Sequence, residues 1–114
     1  LTVLNSVIFH TENLKEVREF YSKVLGLAVG TFEKDGRTVP DENDTYVNFD
    51  LNGTLLCFEV EEGRLDQGAL VLKVESLEKM KDRLRAAGVP LGRNTTHFLM
   101  IEDPEGREVI LEET

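Results

Sequence analysis

Apolar residues follow two rhythms along this chain, one of period two and one of period 3.6, and the order in which they alternate is repeated. Thr2 to Phe9 is β-branched and apolar, the pattern of a strand. Asn13-Leu14-Lys15-Glu16 then offers a capping box, and Leu14, Val17, Phe20, Tyr21 and Val24 follow at helical spacing as one apolar stripe. Gly26 is placed to end that helix in a left-handed conformation, with Leu27 as the hydrophobic contact beyond it. Leu27 to Phe32 reads as a second strand. Lys34 to Thr45 is polar, lacks periodicity and reads as a loop. From Tyr46 to Val60 two apolar runs flank Asp50-Leu51-Asn52-Gly53, the signature of a hairpin.

After an acidic connector, Glu61 to Gln67, the order begins again. Ala69 to Val74 reads as a strand, and a helix capped by Ser76 places Leu77, Met80, Leu84 and Ala87 on one face. Gly88-Val89 repeats the stop signal of Gly26-Leu27. A closing hairpin joins Phe98–Ile101 to Val109–Leu111 across Asp103-Pro104-Glu105-Gly106. The sequence therefore predicts an α+β fold: one domain of two βαβββ modules, about 1–62 and 68–114. One helix covers the outside of each module, and the free sheet faces are expected to curve into a shared trough.

A chain of 114 residues suits a single domain. No apolar run is long enough to span a membrane and no signal-peptide order opens the chain, so a cytoplasmic location is expected. Cys57 is the one cysteine, set among Leu55, Leu56 and Phe58, where a reduced packing residue is expected. Thirteen basic against 22 acidic side chains give a net charge of −9. That field disfavours nucleic acid and anionic lipid as partners and attracts small cations.

Two stretches add a resemblance. Phe20-Tyr21-Ser22-Lys23-Val24-Leu25-Gly26-Leu27 and Asp103-Pro104-Glu105-Gly106-Arg107-Glu108-Val109-Ile110-Leu111-Glu112-Glu113, within the duplicated order, resemble the vicinal oxygen chelate superfamily. That superfamily includes glyoxalases, extradiol dioxygenases and bleomycin-resistance proteins. The resemblance implies paired modules that form curved mixed sheets, a homodimer, and cavities between modules. In metal-binding members the ligands come from the first and last strand of each module. Carried onto this sequence, those positions fall on Ser6, Cys57, Ala69 and Ile110. None is His or a carboxylate, and zinc, iron or manganese needs several such donors. No metal and no other cofactor is therefore expected.

Strand alternation nominates the residues of the trough. Ser6, Ile8 and His10 share one face of the first strand, and Ala69, Val71 and Lys73 share the equivalent face in the second module. The same reasoning adds Tyr46, Asn48, Cys57 and Glu59 from the first hairpin. From the last it adds His97, Leu99, Glu108, Ile110 and Glu112. His10 and Lys73 are either hydrogen-bonding or acid/base groups, or solvated rim residues. Tyr46 and Asn48 either grip a ligand or tile a polar sheet face. The expected function is metal-free binding of a small cationic or aromatic compound, like the bleomycin-resistance branch, with no residue assigned a catalytic role. The alternative is a lyase, isomerase or dioxygenase whose metal ligands lie elsewhere in the sequence.

Overall fold

The computed structural model describes residues 5–63 and 69–114, in two compact units, Leu1–Asp66 and Gln67–Thr114. Residues 1–4, which include the start of the first predicted strand, and 64–68, which include the end of the predicted acidic connector, lie outside the described residues.

The first unit begins with β1 (Ser6–Thr11), which leads into α1 (Leu14–Glu19) and a π-helical turn (Phe20–Val24). The expected Asn13 side-chain cap is not made; instead the Thr11 hydroxyl accepts from the Asn13 amide at 3.1 Å. The helix widens where the Ser22 hydroxyl donates to the Arg18 carbonyl at 2.6 Å. It ends as expected: the Leu27 amide reaches back to the Tyr21 carbonyl across Gly26, whose φ is +78°.

β5 (Tyr46–Leu51) and β6 (Thr54–Val60) form the predicted hairpin, closed by Asn52-Gly53 with both φ values positive. The Asp50 carboxylate accepts the Gly53 amide at 2.9 Å. With β4 (Glu42–Asn43) the sheet order is β1-β6-β5-β4, and β1 runs parallel to β6. Leu14, Val17, Phe20 and Tyr21 of the helix are buried, as are Val47, Phe49, Leu56 and Phe58 of the sheet. The Tyr21 ring lies 4.7 Å from Phe58 and 5.9 Å from Phe49. Each such side chain contributes about 1.5–3 kcal/mol by leaving water. This core lies between α1 and one face of the sheet.

Two expectations need correction. The second strand is not continuous over Leu27 to Phe32, and Lys34 to Thr45 is not irregular. Ala28 to Gly30 lies along β5, with the Gly30 amide donating to the Asn48 carbonyl and the Asp50 amide to that of Ala28. The chain then leaves the edge as a hairpin, β2 (Thr31–Lys34) and β3 (Arg37–Pro40), and resumes at Glu42 and Asn43, opposite Val47 and Tyr46. The Asp41 amide closes the splice on the Gly30 carbonyl at 2.7 Å. Asp35 and Gly36, both at positive φ, form the turn. Asp-Gly is a strong hairpin signal, here masked by weak alternation on either side, since all but Val39 of the two strands is exposed.

The second unit repeats the arrangement. β7 (Ala69–Val74) runs parallel to β9 (Glu108–Glu113), β8 (Phe98–Glu102) is antiparallel to β9, and the order is β7-β9-β8. The segment from Gly92 to Thr95 lies along the outer edge of β8 through three backbone hydrogen bonds and a single bridge, Asn94 to Leu99. α2 (Leu77–Ala86) is capped by the Ser76 hydroxyl, and the Glu113 carboxylate accepts the Leu77 amide at 3.1 Å. Leu77 and Leu84 are buried as expected, but Ala87 is exposed and Lys81 is buried beside them, its ammonium 3.4 Å from Glu78. The Lys stem can pack as an apolar chain while its head reaches a partner.

The loop between β8 and β9 is held by its own polar groups. Asp103 accepts the amides of Glu105 and Arg107 at 2.9 Å each, and its other oxygen pairs with Arg107 Nη1 at 3.0 Å. Both side chains are essentially inaccessible. Among the described residues no helix is long and apolar enough to cross a membrane.

Candidate functional site

Register across the first unit places three rows of side chains on the sheet face away from α1. Ser6 lies beside Leu55, which pairs with Asp50; Ile8 beside Cys57, which pairs with Asn48; and His10 beside Glu59, which pairs with Tyr46. Every residue nominated from this unit therefore shares one face. Ile8 is 50% exposed, an apolar side chain left in the open. Next to it, Cys57 and Asn48 are buried.

The polar groups here are tied together. Asn48 Nδ2 donates to Tyr46 Oη at 2.8 Å and to Asp41 Oδ2 at 2.6 Å, and Tyr46 Oη contacts Cys57 Sγ at 3.4 Å. A carboxylate only accepts, so Asp41 fixes which end of the Asn48 amide faces it. Asn48 Oδ1 then points at Gly30 and has no hydrogen-bond partner among the described residues. A Cβ on Gly30 would sit 1.9 Å from that oxygen, so any other residue there would force the Asn48 side chain to shift. Burial pushes the Tyr46 hydroxyl from 10.0 up to about 12, the Cys57 contact adds to the rise, and the Asn48 donor opposes it. At the far end of the face, His10 Nε2 stands 3.3 Å from a Glu61 oxygen and 4.0 Å from one of Glu59.

In the second unit the corresponding face carries Ala69, Glu108 and Glu102; Val71, Ile110 and Met100; and Lys73, Glu112 and Phe98. Val71 is 55% exposed. Two nominated residues are elsewhere. Leu99 pairs with Leu111 and is fully buried on the opposite face, and His97 precedes β8 in a turn, its amide donating to the Thr95 hydroxyl. The error is one of parity. Phe98 to Ile101 is apolar throughout and hides its own alternation, whereas counting outward from the Asp103–Arg107 loop gives Glu102 opposite Glu108 and places Phe98 and Met100 on the open face. Asp41 was also missed, because its role depends on the splice at Gly30.

A cavity of about 710 Å³ lies along the outer edge of β8, lined by Pro90, Leu91, Gly92, Arg93, Met100 and Glu108 among others. Of the nominated trough residues it includes only Glu108. Arg93 stacks over the Phe98 ring at 5.8 Å.

The positions implied for a metal do not fit one. Ser6 and Cys57 offer a hydroxyl and a thiol, and Ala69 and Ile110 offer no donor. Among the described residues no three His, Cys, Asp or Glu side chains are grouped to hold an ion.

The repeated strand order and the outer helices define a class of fold, and comparison with known proteins identifies the family. The chain belongs to the glyoxalase/bleomycin resistance protein/dioxygenase superfamily, whose profile matches residues 3–111. Similar solved structures include lactoylglutathione lyase from Agrobacterium tumefaciens, at 16% identity and TM-score 0.73, covering 99% of this chain and 94% of that one. The antibiotic-binding protein TnmS3 from Streptomyces sp. CB03234 is similar at 15% identity and TM-score 0.72, covering 99% and 96%. The oxidase ChaP-H2 is similar at 18% and 0.76, covering 99% and 94%. No curated protein sequence matches significantly. At these identities the likeness is one of fold, and a lyase, an oxidase and a binding protein share it.

Proposed function

We propose that this protein binds a small organic molecule without a metal ion, sequestering it rather than transforming it. The observation that carries this reading is the first unit's face away from α1, where exposed Ile8 lies beside Cys57, whose sulfur is contacted by a Tyr46 hydroxyl held by Asn48. Apolar floor and a few fixed polar groups are the composition of a small-molecule site. Ser6, His10, Cys57 and Glu59 complete that face, and Lys73 and Ile110 belong to the equivalent face of the second unit. The donor chemistry at Ser6, Cys57, Ala69 and Ile110 supports the metal-free part. The net charge of −9 and the carboxylates beside His10 favour an aromatic or cationic guest. The antibiotic-binding relative supports the same class. We assign the protein to the cytoplasm as a homodimer.

A thermal-shift screen against planar aromatic compounds, neutral and cationic, tests the reading. Saturable stabilisation is expected, and a panel without one binder would refute it. The second reading is a metal-dependent lyase, isomerase or dioxygenase, and what favours it is the likeness of fold to a lactoylglutathione lyase and an oxidase. Elemental analysis of protein purified without chelator decides between them. A stoichiometric divalent ion would establish the second and remove the first.

A further inference from the structure

We propose that Asp41, acting through Asn48, holds the Tyr46 hydroxyl as a hydrogen-bond donor, so that the open face of the first unit selects planar molecules bearing an acceptor oxygen. This rests on the binding function proposed above and specifies the chemistry of the guest.

The inference follows from counting donors and acceptors. The Asn48 amide has two N–H groups, and both are committed: one to Asp41 Oδ2 at 2.6 Å, the other to Tyr46 Oη at 2.8 Å. A phenol oxygen that already accepts an N–H has its own proton left to place. The acceptor it finds is Cys57 Sγ at 3.4 Å, and a thiol sulfur accepts weakly. A guest's carbonyl oxygen within reach of the hydroxyl would draw that proton away from the sulfur into a stronger bond. An ammonium or other N–H donor would instead meet an oxygen whose accepting capacity is partly used.

Geometry keeps the amide from turning. Reversed, Asn48 would set its oxygen against the Asp41 carboxylate, which cannot donate, losing that 2.6 Å bond, and would accept the phenol's proton instead of donating to its oxygen. The orientation seen leaves Oδ1 buried against the Gly30 backbone with no partner, a cost the fold accepts in order to aim the two N–H groups. Asp41 stands there because the edge strand resumes at that residue, its amide bonded to the Gly30 carbonyl. The hydroxyl keeps its proton through the physiological range, consistent with burial raising its pKa. Asp41 is thus a positioning residue, and Tyr46 is the group that touches the ligand.

The test compares 9-fluorenone with fluorene, planar tricycles of nearly equal shape that differ in one ketone oxygen. Affinities are measured by equilibrium dialysis with the full chain and three variants. The wild type is expected to prefer fluorenone by about tenfold, the factor of one neutral hydrogen bond. Tyr46→Phe should abolish the preference, bringing the two affinities to within about twofold of each other. Asp41→Ala should reduce it, and Asp41→Asn, whose side-chain oxygen can still accept from Asn48, should restore most of it. Asn48 side-chain N–H exchange, followed by NMR, should quicken in Asp41→Ala and not in Asp41→Asn. Equal wild-type affinities for the two tricycles, or a preference that survives in Tyr46→Phe, would overturn this inference alone. Binding of neither tricycle, together with an empty screen, would overturn the proposed function and this inference with it.

Discussion

The contact between Gly30 and Asn48 shows how much of this protein's chemistry is fixed by the absence of a side chain. A methyl group on Gly30 would stand 1.9 Å from Asn48 Oδ1, and the strand cannot yield, because the Gly30 amide is bonded to the Asn48 carbonyl. Gly30→Ala is expected to lower stability by about 1–3 kcal/mol, read as a reduced urea midpoint at constant slope. Tyr46 makes a prediction with a defined sign. Its pKa is raised from 10.0 to about 12 in the folded protein, so the unfolded chain loses the proton first as pH rises. The stability linked to this group is whole below pH 10 and is lost progressively towards pH 12. Comparing urea midpoints of wild type and Tyr46→Phe across that interval should show the additional alkaline loss only in the wild type. At this scale the sequence was half legible. The face of Tyr46, Asn48 and Cys57 followed from alternation, but Asp41 did not, since its partner is set by a splice between distant residues.

Among the elements, the hairpin from Thr31 to Pro40 is the clearest departure from the sequence pattern. It leaves the sheet edge at Gly30 and returns at Asp41, and its strands pair chiefly with each other. Replacing these residues with a Gly-Ser pair is expected to change unfolding free energy by less than about 1 kcal/mol, measured by denaturant titration, because shortening a loop has a small entropic effect. The closing loop behaves in the opposite way. Arg107 pairs with both Asp103 and Glu105, so Arg107→Ala removes the cation from two buried carboxylates and should destabilise by about 3–5 kcal/mol in the same titration. Helices and paired strands were legible because their apolar residues keep a period. The hairpin was not, because exposed strands need no alternation, and the parity of β8 was not, because Phe98 to Ile101 is apolar on both faces.

At the scale of the molecule, the duplicated order read from the sequence reappears as the same strand arrangement in each unit: parallel first and last strands, the preceding strand beside the last, and an edge segment outside it. Family membership fixes that architecture and leaves the chemistry to individual side chains. The charge of −9 belongs to this scale as well. For a cationic probe that binds, the association rate should fall as salt rises from 20 to 200 mM, approximate limits within which screening changes most, while a neutral probe's rate should not. Stopped-flow fluorescence distinguishes the two.

The Asp103–Arg107 loop also bears on the order in which the second unit assembles. The side-chain hydrogen bonds described in it join residues no more than four apart, whereas β7 must find β9 across nearly forty positions, counting from Ala69 to Glu108. Local contacts form early in a search limited by chain closure. The loop is therefore expected to set β8 against β9 in step, with Leu99 and Leu111 together, before the parallel strand arrives. Substitutions in it should slow refolding, and substitutions in β7 should chiefly hasten unfolding.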